Sequence, residues 1–218
     1  MCAASRRPDP TVIAETLSDA DPAFASLISI VGPPPRHRPL PVAQRFESLA
    51  TSILHQQLAG AAAATITGRV VALLDGSITP AGILETDPDE LRSCGVSGAK
   101  QRALVDLAQK VTSGSLDLAS FGSSDDETVI RELIDVRGIG RWTAEMFLMG
   151  PLGRLDVWPV GDLGVRNGWA LIQSLPQTPT PQELGASADP LRPHRSAVAW
   201  YCWQAVDLAR SNGGTFPR

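Results

Sequence analysis

The chain has 218 residues, 43% of them hydrophobic, which suits one catalytic unit with a real core and leaves no need for a second independent domain. With 19 basic against 23 acidic residues the net charge is −4, which argues against a uniformly basic nucleic-acid-binding coat. No apolar run approaches the roughly 20 residues of a membrane span, and nothing apolar follows Arg6 and Arg7 as in an exported chain, so a cytoplasmic protein is expected.

In chain order, residues 1–10 are polar and proline-bearing and read as flexible. A helix is predicted after Asp19-Ala20-Asp21-Pro22, with Pro22 in its first turn and Phe24, Leu27, Ile28 and Val31 on one face. The prolines from Pro33 to Pro39 impose a linker. Helical periodicity returns over 43–59, 61–74, 80–84, 88–93, 99–112 and 116–120. Ser123 to Glu127 form a capping cluster ahead of a stripe made by Val129, Ile130, Leu133 and Ile134. Gly138 and Gly140 bracket Ile139, so the chain can turn sharply into a second helix that starts near Arg141 and buries Ala144, Phe147 and Leu148. Such a turn leaves the first N–H groups of the new helix pointing outward, a nest suited to phosphate. Prolines and glycine make 151–160 a loop, and helices resume near 162–174 and 194–210 with a short one at 181–185 between them. Nothing alternates at period two for long enough to form a sheet, so the chain is read as all-α.

Cys2, Cys94 and Cys202 are too few and too widely spaced for a disulfide framework or a zinc site; Cys2 is placed in a disordered tail and the other two as buried thiols. No His/Cys/Asp/Glu cluster has metal-ligand spacing, and no catalytic metal is expected. His37 and His194 lie in proline-rich or arginine-flanked stretches and read as surface or phosphate-side residues rather than catalysts. Asp162, in Gly161-Asp162-Leu163-Gly164-Val165, reads by itself as a cap for the helix that follows. Lysine is confined to Lys100 and Lys110 beside many Arg, Ala, Gly and Pro, which points to a GC-rich genome rather than to a function.

The hairpin around Gly138-Ile139-Gly140 resembles that of the helix-hairpin-helix DNA glycosylases, and within them the 3-methyladenine DNA glycosylase II group. Three further segments carry the resemblance in family order: Phe46 to Leu58 running into Ala61–Ile66, the Asp162 region, and Arg192 to Ser196 followed by Ala199 to Trp203. It spans roughly residues 17–208. It implies a two-lobed helical glycosylase fold, with lobe one at 45–155 holding the hairpin (about 126–150) and lobe two formed by 1–44 and 156–218. Larger relatives carry an extra N-terminal mixed α/β domain, for which this chain has no room, and the cysteines that hold an iron–sulfur cluster in some relatives have no counterpart here.

The implied activity is monofunctional excision of alkylated purines from double-stranded DNA in base excision repair, by a nucleoid-associated monomer. Asp162 is then the catalytic anion that stabilises an oxocarbenium-like sugar. Gly161 stands where many relatives have a second acidic residue. Trp142, Met146 and Trp158 would line the base pocket, since an aromatic face attracts electron-poor purines by about 1–2 kcal/mol. Met146 stands where some relatives have tyrosine, and core packing is its alternative; Trp169, Trp200 and Trp203 are assigned to the core. Trp142 occupies the place of the Schiff-base lysine of bifunctional relatives, which leaves water as the nucleophile. Gln57, with His55 and Gln56 beside it, is the candidate to fill the gap left by a flipped nucleotide, or else an ordinary solvated helix end. Ala59 stands where relatives often have a polar residue. Gly138, Gly140, Arg137, Arg141 and Arg166 would contact phosphate, and with Arg154 they predict a basic groove on an acidic body. No cofactor is expected beyond a structural monovalent cation that hairpins of this family often hold. The rival is a helix-hairpin-helix protein that binds damaged or structured DNA without cutting it, and a second rival is a glycosylase/lyase acting on oxidised bases.

Overall fold

Asp9, Thr79, Asp87 and Thr180 each cap a helix that opens on a proline, a pairing that supplies an acceptor for the orphan N–H groups and a φ already set for helix. The computed structural model describes residues 7–36, 38–213 and 216; Met1, Cys2 and His37, for which expectations were stated, lie outside the described residues. Among the described residues the elements are α-helices and short 3₁₀ turns with no strand, and no helix is long and apolar enough to cross a membrane. The chain divides into two compact units, one made by Met1–His37 with Arg154–Arg218 and the other by Arg38–Gly153.

The unit of residues 38–153 contains α3 (Val42–His55), α4 (Gly60–Leu73), α5 (Pro80–Glu85), α6 (Pro88–Ser93), α7 (Gly98–Ser113), α8 (Asp126–Ile134) and α9 (Arg141–Met149). Its core joins Leu49 and Ile53 of α3, Leu104 and Leu107 of α7, Leu133 of α8 and Phe147 of α9, with Phe121 edge-on to Phe147 at 6.2 Å. Lys100 donates to the Leu54 carbonyl at the end of α3, and its burial lowers the ammonium pKa. The predicted helix at 116–120 is not formed. Leu116 and Leu118 instead anchor a loop, closed by a 3₁₀ turn at Ser120–Gly122, and the buried Arg45 guanidinium donates to the Leu118 carbonyl.

The other unit contains α1 (Pro10–Ala20), α2 (Ala25–Val31), α10 (Leu163–Ile172), α11 (Pro181–Gly185) and α12 (Arg195–Ser211). α1 was not anticipated, although Asp9-Pro10 is the same start signal as elsewhere and Ile13, Ala14 and Leu17 form its buried stripe. Phe24, Trp169 and Tyr201 pack as an aromatic cluster, and burial pushes the Tyr201 hydroxyl up to about 12 while it donates to the Gly32 carbonyl. α10 and α12 touch backbone to backbone. A methyl group on Gly168 would overlap the Cys202 carbonyl, so glycine is what lets the two helices approach this closely. Cys94 and Cys202 are both buried free thiols.

Candidate active site

The chain leaves α8 at Ile134 and reaches α9 through a turn in which the two glycines have different reasons to be glycine. Gly138 sits at φ +78, and a Cβ there would meet the Ala103 Cβ at 3.1 Å. Gly140 is the N-cap of α9 at φ −96 with open space around it, and it brings no side chain to cover the first turn. Gly138 is therefore demanded by conformation, whereas Gly140 keeps the end of α9 uncapped and open, as an anion nest requires. Ile139 between them is 4% exposed and seats the turn in the core. Asp106 accepts the Arg137 backbone N–H at 2.8 Å, while the Arg137 side chain is exposed.

The tip of α3 lies against this turn. Gln56 donates through Nε2 to the Gly138 carbonyl at 2.9 Å, and Gln57 follows at φ +57, a left-handed conformation uncommon outside glycine. Gln56 itself, at φ −54 and ψ 134, leaves the helical region and ends α3 at His55, short of the predicted residue 59, and Gln57 and Leu58 beyond it are exposed. His55 pairs with the Thr67 hydroxyl at 3.1 Å. On α9, Trp142 is 50% exposed, an unusual state for so large an apolar ring, and Met146 lies half-buried one turn later on the same side of the helix.

In the other unit Asp162 is the N-cap of α10. Its Oδ1 accepts the Val165 backbone N–H at 2.7 Å and the indole N–H of Trp203 at 3.0 Å. The carboxylate is half-buried at the positive end of a ten-residue helix, where an anion is favoured. Both readings of Asp162 therefore describe one geometry: the bond that caps the helix also aims the carboxylate. Beneath it, the buried Cys202 thiol is held well above its ordinary value by desolvation and by the negative charge of Asp162.

Several sequence expectations are corrected. Trp158 is 8% exposed, donates its indole N–H to the Leu184 carbonyl and stacks edge-on against Trp169 at 5.6 Å, so it is a core residue rather than a pocket wall. The Arg141 guanidinium is committed to Glu127 through two bonds and to Glu145 through a third, and so clamps α8 to α9 instead of offering itself to phosphate. Arg166 donates its Nε to the Pro179 carbonyl and so anchors the proline-rich segment, a bond that does not involve the terminal guanidinium nitrogens expected to meet phosphate. Trp203 is half-buried and bonded to Asp162 rather than enclosed in the core; the only sequence signal for it was a second tryptophan three residues after Trp200 on one helix. His194 is half-buried, with a buried Nδ1 that has no hydrogen-bond partner, rather than a surface residue.

An all-helical chain with a glycine hairpin that leaves a helix N-terminus uncapped, and an aspartate fixed at the start of another helix, defines a helix-hairpin-helix protein. A model described as HhH-GPD superfamily base excision DNA repair protein matches residues 50–193, and the chain belongs to that superfamily. It is 33% identical to the DNA-3-methyladenine glycosylase 1 of Schizosaccharomyces pombe, over 88% of this chain and 86% of the relative. The solved S. pombe 3-methyladenine DNA glycosylase in complex with abasic DNA matches with a TM-score of 0.81, covering 91% of this chain and 98% of that one at 33% identity. The Bacillus halodurans DNA-3-methyladenine glycosidase also gives 0.81, at 32% identity over 93% and 92% of the two chains.

Proposed function

We propose that this protein is a monofunctional DNA glycosylase that extrudes alkylated purines of the 3-methyladenine type from duplex DNA and hydrolyses the N-glycosidic bond. The names of its relatives support the substrate class. The observation that carries the chemistry is the Asp162 carboxylate, held through Oδ1 by the Val165 N–H and the Trp203 indole. When the bond between C1′ and the base breaks, the electron pair leaves with the base, and a cationic alkylated purine departs neutral. The sugar is left with oxocarbenium charge that exists only near the transition state, so a preoriented anion lowers the barrier instead of tightening ground-state binding. Water then adds to C1′ and gives up a proton, leaving an abasic strand.

Trp142 offers a half-exposed aromatic face to an electron-poor base, with Met146 beside it as a weaker apolar contact. Gln57, strained and exposed, is the group that enters the gap in the duplex, braced by Gln56. Gly138, Gly140 and Arg137 bind the phosphate backbone. Lys110 is held by Asp135 and Lys100 by the Leu54 carbonyl, which supports water rather than an amine as nucleophile. The reading includes a cytoplasmic, nucleoid-associated monomer and no cofactor. A monovalent cation on the hairpin would be structural, and its fit is limited because the Val136 and Gly138 carbonyls each already accept a hydrogen bond.

Asp162→Asn tests the proposal. It should reduce single-turnover base release by about 10²-fold or more while folding and duplex binding persist, and borohydride should trap no adduct with the wild-type protein. A variant keeping more than about a tenth of the rate would refute the role of Asp162, whereas a wild-type protein that binds the duplex and releases no base would favour a protein that only binds DNA.

A further inference from the structure

The α10–α12 contact does more than fill the core. Two glycines on α10, Gly164 and Gly168, face the same stretch of α12. At Gly168 the helices are locked against the Cys202 backbone. At Gly164 an added Cβ would lie 2.9 Å from Trp203 Cδ1, 3.2 Å from its Nε1 and 3.0 Å from Asp162 Oδ1. The contact with Trp203 Cδ1 is shorter than real Cβ atoms make and the other two are tighter than most, so a side chain at 164 would displace the indole and press on the carboxylate. Without one, the indole N–H reaches Oδ1 at 3.0 Å, joining the Val165 N–H on the same oxygen.

We infer, on the basis of the Asp162 role given above, that Trp203 is a positioning residue for the catalytic carboxylate and that the missing side chain at Gly164 admits it. The helix cap holds Oδ1 from within α10, through the Val165 N–H. A second donor from another helix, on a rigid two-ring side chain, constrains its orientation, and partial burial limits competition from water. The indole acts through orientation of the anion; it supplies no proton and forms no covalent bond.

The experiment uses the intact protein with Trp203→Phe, which keeps an aromatic ring and deletes the N–H. A second variant replaces Trp203 by benzothienylalanine, whose sulfur takes the N–H position at nearly unchanged volume. Each is assayed for single-turnover release from a 7-methylguanine duplex. Each is also assayed for the ratio of affinities for duplexes carrying a cationic pyrrolidine or a neutral tetrahydrofuran abasic analogue. Loss of one hydrogen bond to a charged group predicts about ten-fold slower release and a ratio reduced by about ten-fold, with tetrahydrofuran affinity unchanged. A purely structural role would move both affinities together and leave the ratio alone. Gly164→Ala should reproduce the defect in the wild-type background, because the added methyl group displaces the indole from the carboxylate. If Asp162→Asn abolishes release while both Trp203 variants keep the wild-type rate and ratio, the Trp203 assignment is overturned and the proposed function stands. If Asp162→Asn also keeps the rate, the role proposed for Asp162 fails and the inference falls with it.

Discussion

Alanine at Gly138 and alanine at Gly140 should separate folding from DNA binding within a single turn. At Gly138 the backbone sits at φ +78, which costs an L-residue about 1–2 kcal/mol, and the new Cβ would meet Ala103 Cβ at 3.1 Å. Relieving that contact needs a shift of a few tenths of an ångström in packed helices and adds up to about 1 kcal/mol. The sum, about 1–3 kcal/mol, corresponds to a melting temperature lower by about 2–12 °C for a chain of this length. At Gly140 the backbone is at φ −96 and nothing lies within 4 Å of the added methyl, so stability should change by less than about 1 kcal/mol. That methyl, however, stands at the mouth of the nest at the start of α9. Affinity for an undamaged duplex should fall on the order of ten-fold, and the slope of log K against log salt should shrink by about 0.9, one phosphate contact. Scanning calorimetry reads the first effect, and fluorescence anisotropy across a salt series reads the second. A Gly140→Ala protein with wild-type affinity and slope would refute the nest, and a Gly138→Ala protein with unchanged melting would refute the conformational reasoning.

Two further outcomes follow from charge placement. Arg141→Ala should cost about 1–2 kcal/mol of stability and leave the salt slope of DNA binding unchanged, because the guanidinium is held by Glu127 and the buried Glu145. Arg141 holds the Glu127 carboxyl below its usual value, chiefly by hydrogen bonding, so the stability difference from wild type should be complete above pH 4.5 and narrow as acid protonates Glu127; a difference constant through that range would count against the clamp. His194 is depressed by desolvation, partly offset by Asp156, so the unfolded chain takes up its proton first and stability should decline as pH falls through 6.5 toward the lower folded value. His194→Gln should flatten that decline, and melting curves between about pH 7 and pH 5 that run parallel for the two proteins would overturn it.

What could be read from the sequence is what a few neighbouring residues decide among themselves. The capping cluster before Val129, the glycine turn and the paired Thr180-Pro181 start act within one turn of chain, and each produced the element its pattern implied. The same kind of signal marks α1 at Asp9-Pro10, where the polar, proline-bearing residues before it mask the helix start. Asp162 as a helix cap was equally local.

Other features depend on packing between segments far apart in the chain. Trp203 reaches Asp162 across 41 residues because Gly164 and Gly168 let α12 lie against α10, and no periodicity in either helix encodes that. Gln56 finds the Gly138 carbonyl 82 residues away, and Arg141 finds Glu127 across the hairpin. Trp158 looked like a pocket wall from its loop but is drawn into the core, where the Leu184 carbonyl satisfies its indole. The chain thus carries its helices, its turn and its capped aspartate in short-range terms. Which charges are neutralised, which ring is buried and which donor aims the carboxylate are settled only when the helices pack, since a hydrogen bond needs its partner within about 3 Å and only the tertiary fold brings those partners together.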